Sequence, residues 1–143
     1  MLHIIPIQSK DDQKALAEAF SERFDERAFA YLAAEEDERG EREAIGFMQF
    51  TLGEDEATVL CLREAPGCDD PEAMQILARA AFSFIHRVGV RYVAVPDGRA
   101  SDKLTAALRM TDSGDGRKTL DLSHYFALPC DARAAINEQQ PEI

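Results

Sequence analysis

The sequence predicts an α/β domain of the α+β type: a mixed central sheet with an antiparallel N-terminal meander, one βαβ crossover, and helices on both faces. Three observations carry that prediction. Three strand-like runs, Ala28–Ala34, Ala44–Leu52 and Ala57–Leu62, are separated by short, charged, glycine-containing turns, the pattern of an antiparallel meander. An amphipathic stretch from Pro71 to Gly89 then stands between Ala57–Leu62 and a further β-rich run, Val90–Val95, and this order makes those two strands parallel. Finally, Ala44–Phe50 is largely apolar at odd and even positions alike, so helices must cover both of its faces.

Taken in order, Leu2–Ile7 is a short β-rich run, and Pro6, which has no N–H for a ladder, suits an edge strand or a strand end. Ser9 is placed to cap a helix, with Asp12 three residues on as in a capping box. Leu16, Ala19, Phe20 and Phe24 share one face at helical spacing, so the first helix is expected from Lys10 to Phe24. The meander turns, Glu35–Gly40 and Gly53–Glu56, are acidic and read as solvated loop chemistry. The second helix has Asp70 as its N-cap, Pro71 at the first helical position and Gly89 in the C′ place. Met74, Leu77, Ala81, Phe84 and Val88 form its stripe, widened by Ala78, Phe82 and Ile85, and a face this wide belongs against a sheet. Val90–Val95, stopped by Pro96-Asp97-Gly98, has the β-branched composition of a central strand. A short helix over Asp102–Met110 carries Leu104, Ala107 and Leu108 inward. Thr111–Arg117 is turn-rich, and Thr119–Leu128 reads as a last strand pair or a single long strand. Residues 1–130 are expected to form one domain and residues 131–143 a polar C-terminal tail.

Composition narrows the class. With 143 residues, 45% of them hydrophobic and 30% charged, the chain is long enough for one core and has a globular balance. No apolar run approaches the roughly 20 residues of a membrane helix. Met1–Ile7 has no basic region ahead of its apolar stretch, so no signal peptide is expected and cytoplasmic residence follows. A net charge of −11 repels a polyphosphate backbone, which excludes nucleic acid as an expected partner. The same sign disfavours an anionic cofactor unless cations gather locally. Cys61, Cys68 and Cys130 are odd in number and lack paired short spacing, which argues against a disulfide framework and a zinc site. Reduced thiols are expected, with Cys61 buried in a strand. His3, His86 and His124 are too scattered to ligate a metal. Neither a Gly-x-Ser-x-Gly nor a Walker-type loop occurs, which removes the common hydrolase and nucleotide-binding readings.

The order β-α-β-β-β-α-β-α-β, together with Ala44-Ile45-Gly46-Phe47 on the third strand and a short helix after Val90–Val95, resembles the GNAT superfamily of N-acetyltransferases over about residues 3 to 128. The resemblance implies that the fourth strand and the following helix splay apart to admit acetyl-CoA or another acyl-CoA. It also implies a Gln/Arg-x-x-Gly-x-Gly/Ala loop whose backbone N–H groups and helix start hold the diphosphate. The matching stretch here, Arg63–Glu72, departs from that pattern. It has one glycine, Pro66 and Pro71 each lack a donor, and Asp69, Asp70 and Glu72 stand where the diphosphate would sit. Leu62, Arg63 and Gly67 are the cofactor-binding candidates, and Arg63, Arg99 or Lys103 would serve a displaced mode.

For catalysis, the resemblance implies a tyrosine on the helix after the fifth strand, but Ser101–Met110 has none. Tyr125, beside His124 and near Asp121, is the substitute candidate, while Tyr92 reads as strand packing. Glu64 is in place for a general base if it reaches an amine. Two readings stand. One is a divergent acyl-CoA-dependent N-acyltransferase on a small amine, a cation that an acidic protein attracts. The other is a non-catalytic binding or interaction module, homodimeric through an uncovered apolar strand edge.

Overall fold

A computed structural model of the chain describes residues 1–126. β1 (Leu2–Ile7) leads into α1 (Lys10–Ala19), followed by β2 (Phe29–Glu36), β3 (Arg42–Leu52) and β4 (Glu56–Glu64). The long helix α2 (Pro71–Arg87) leads into β5 (Tyr92–Pro96), α3 (Asp102–Ala107), β6 (Thr111–Asp112), β7 (Arg117–Asp121) and α4 (Leu122–Tyr125). The strands make one sheet in the order β1-β2-β3-β4-β5-β7-β6, antiparallel except for the β4–β5 pair. The meander, the single crossover and the parallel pair are those the sequence predicts.

Helices cover both faces. On one, Ala17 and Phe20 of α1 and its end pack on Ala30, Phe47 and Cys61. On the other, Met74, Leu77, Ala81 and Ile85 of α2 pack on Met48, Phe50, Val59 and Val93, joined by Leu104, Leu108 and Leu122. β3 is buried without interruption from Ile45 to Phe50, as its two apolar faces require. Gly46 leaves room for a side chain of α2, since a Cβ there would stand 2.6 Å from the Met74 sulfur.

Three expectations are corrected. The first helix ends at Ala19, not Phe24. Ser21 turns left-handed at φ 56°, its N–H donates to Glu18 O, and Glu22 N–H donates to Ala17 O. That is a Schellman closure, and it frees residues 21–28 to run as a connection. The helix also buries Gln13 and Ala17 and leaves Ala19 exposed. Val88, expected in the α2 stripe, is 50% exposed because it caps the helix beyond the sheet. Thr119–Leu128 is neither a strand pair nor one strand. β7 stops at Asp121, whose carboxylate accepts the Ser123 N–H and starts α4. The expected tail, residues 131–143, lies outside the described residues.

The β4–β5 pairing is short. It covers Glu56, Thr58 and the residue between them, against Tyr92–Ala94. The β3–β4 register then slips, Gln49 facing Cys61 but Phe50 facing Val59, so Leu60 is an extra residue in β4. A bulge bends its strand and raises the local twist. Placed just past the last β4–β5 pair, this one accompanies the turning of β4 away from β5 and the opening of the sheet.

Candidate functional site

Two cavities flank that opening. On the α2 side, one of about 310 Å³ is lined by apolar Leu62, Met74, Leu104 and Ala107 and rimmed by Arg63, Glu64, Asp69 and Lys103. On the α1 side, another of about 520 Å³ lies between the α1–β2 connection and the residues Leu60 and Arg99. Arg63 stands between them. Its Nε donates to the Glu22 carboxylate, which lines the α1-side cavity with its own side chain only 8% exposed. Its Nη2 reaches Gly98 O at 3.4 Å. Leu62 N–H donates to Arg99 O at 2.9 Å, so the open edge of β4 is bridged to the β5–α3 connection.

The start of α2 is made of carboxylates. Asp70 Oδ1 accepts the Ala73 N–H at 3.1 Å, which is the N-cap read from the sequence. Glu64 Oε2 accepts the Asp70 N–H at 2.6 Å. Pro71 has no N–H to offer. The loop between is a turn in which Cys68 N–H donates to Ala65 O, with Pro66 and Gly67 at its centre. Gly67 takes φ 82°, the left-handed value that the second central residue of a type II turn requires. Its glycine serves the turn, and it does not line the α2-side cavity.

The remaining candidates are dispersed. Tyr125 lies on α4 rather than a strand, and its Oη accepts from Arg79 Nε at 3.0 Å while its ring packs edge-on to Phe82. It lines neither cavity. Asp121, its expected neighbour, is held by a two-pronged contact with Arg91, whose hydrogen bonds keep the Asp121 carboxyl below its ordinary range. Tyr92 packs under the Arg91 guanidinium, 5.0 Å from the ring centre. Cys61 is buried beside Gln49, and burial pushes its thiol up, which disfavours the thiolate. Among the described residues no cluster could hold a metal ion, and no helix is long and apolar enough to cross a membrane. Sequence reasoning missed Glu22, because it fell inside the expected helix and its partner is 41 residues away.

No protein-family model matches the sequence and no curated protein does. Solved structures do resemble it. A GNAT family N-acetyltransferase from Escherichia coli (YhbS), in complex with CoA, superposes with a TM-score of 0.62 at 12% identity, over 95% of this chain and 86% of its own. The ribosomal-protein-S18-alanine N-acetyltransferase from Escherichia coli gives 0.61 at 15%, over 85% and 94%. A chain of the KacTA-DNA complex gives 0.60 at 13%, over 89% and 97%. The chain has the GNAT fold.

Within a GNAT fold, an acyl-CoA diphosphate would lie against the turn from β4 into α2. The residues here do not fit it. The Asp70 and Ala73 N–H groups already donate to carboxylates of the chain itself. Asp69 adds charge of the diphosphate's own sign at the rim, and Arg63 is engaged by Glu22. Leu62, Arg63 and Lys103 line the α2-side cavity, and Arg99 faces the other one.

Proposed function

We propose that this GNAT-fold chain is a binding module whose β4–β5 opening holds a small ligand without a diphosphate, and that it does not transfer acyl groups from CoA. One observation carries the reading: two donors at the α2 start, the Asp70 and Ala73 N–H groups, are taken by Glu64 and Asp70. A diphosphate would have to displace two charge-assisted hydrogen bonds and sit beside the freed carboxylates, which repel it. The α2-side cavity, with Leu62, Met74 and Leu104 on its wall and both charge signs on its rim, suits a small amphipathic molecule.

The test is an assay of acetyl-CoA with a panel of primary amines, read as free CoA thiol. The reading expects the rate of the protein-free control. Turnover above it, abolished by Arg63→Ala, overturns the reading in favour of the other one. That second reading, acyl transfer from acyl-CoA to a small amine, is favoured by the opening of the sheet beyond Thr58. In it, Arg63 and Lys103 would carry the phosphates in a displaced mode and Glu64 would act as base.

A further inference from the structure

A third cavity, of about 450 Å³, lies where the end of β1, the start of α1 and the start of β2 meet. It shares no lining residue with the α2-side cavity and only Arg27 with the α1-side one. Its walls are apolar, formed by Pro6, Ile7, Phe29, Tyr31 and Phe84. The aromatic rings are one cluster: Phe29 lies 5.4 Å from Phe84 and 5.7 Å from the buried Phe50, and Tyr31 lies 6.0 Å from Phe50. Although Phe29 stacks on the core on one side, it is still 41% exposed.

The polar end of this cavity is a fixed cation. Lys10 Nζ donates to Ala28 O at 2.7 Å and to Gln13 Oε1 at 3.1 Å, both neutral acceptors. Gln13 is 3% exposed and donates to Ile7 O at 2.7 Å, so the acceptor that aims Lys10 is itself locked. Among the described residues no carboxylate lies within ion-pair distance of Lys10. Its acceptors are neutral and it has no ion-pair partner among these residues, although Asp11 and Asp12 follow it in the first turn of α1. A lysine without an ion-pair partner beside an aromatic wall suits a ligand with one negative charge and an apolar body.

We infer that this cavity binds a small monocarboxylate with an aromatic or branched aliphatic body, its carboxylate on Lys10 and its body against Phe29, Tyr31 and Phe84. The site stands whether or not the β4–β5 opening takes CoA. The test is titration of the isotope-labelled protein with phenylacetate at low salt, followed by amide chemical shifts, with phenylacetamide as the neutral probe of the same shape. Saturable shifts centred on the amides of Lys10, Phe29 and Tyr31 are expected. Phenylacetamide should bind at least about tenfold more weakly, the scale of one charge-assisted hydrogen bond. Lys10→Gln should lose a similar factor and Lys10→Arg should keep most of the affinity. Equal affinity for acid and amide overturns the proposal on unaltered protein, as does the absence of saturable shifts with phenylacetate at millimolar concentration.

Discussion

At Glu64 and Asp70 the same atoms that serve structure also stand, in the proposed reading, against a diphosphate. Asp70 satisfies an orphan N–H of α2, and Glu64 pins the loop by accepting the Asp70 N–H. Replacing Asp70 by Ala should cost about 1 kcal/mol of stability, the usual worth of an N-cap, read by urea unfolding. Asp70 and Pro71 announce the cap in the sequence, and the repulsion of a diphosphate follows from charge alone. The Glu64 contact is not legible, because it depends on the Ala65–Cys68 turn bringing Asp70 back over the end of β4. Glu22 and Arg63 are hidden for the same reason: nothing local relates residues on a connection and a strand that only the closed sheet brings together.

At the scale of elements, α1 shows why helix ends are harder to read than helix existence. Ser9 and the apolar spacing fix its start, and Ser9 does cap it by accepting the Asp12 N–H at 3.2 Å. The periodicity runs on through Phe24, yet the chain turns at Ser21, a non-glycine residue at positive φ. No glycine marks the stop, so pattern alone overruns it. The conformation costs Ser21 what it would not cost glycine. Ser21→Gly should therefore stabilise by about 0.5–1 kcal/mol, the left-handed penalty less the extra chain entropy of glycine, read by the same unfolding assay. α2 is the converse case. Its stop at Gly89, at φ 93°, is plain in the sequence and correct in the structure. The Leu60 bulge had no signal in a run of apolar residues, although the opening of the sheet beside it was expected from the fold resemblance.

For the whole molecule, charge sets the response to acid. Arg27, Arg42 and Arg91 hydrogen-bond Asp25, Glu36 and Asp121 and hold those carboxyls below their ordinary range, and Ser113 does the same for Asp115. Such depressed groups contribute stability that is complete above the unfolded carboxylate range and is lost as pH falls through the folded values. Against this, protonating other acids relieves the self-repulsion of a chain at net charge −11. The thermal midpoint should hold or rise from pH 7 to about pH 5, then fall below about pH 4 as the paired carboxylates take up protons. A midpoint that falls steadily from pH 7 would mean that groups other than these govern stability. The mixed sheet and its covering helices were legible because hydrophobic period and helix caps are local. What the opening binds was less so, because it rests on which N–H groups remain free once the chain has closed.

In the proposed reading, Glu64 and Asp70 occupy the N–H groups at the α2 start that a diphosphate would need. Titration of isotope-labelled protein with CoA, read at the Asp70 and Ala73 amides, tests it most directly. Neither amide should shift at concentrations up to millimolar. Saturable shifts at both, with micromolar affinity, would contradict it, because they would mean that the diphosphate displaces Glu64 and Asp70 from those donors.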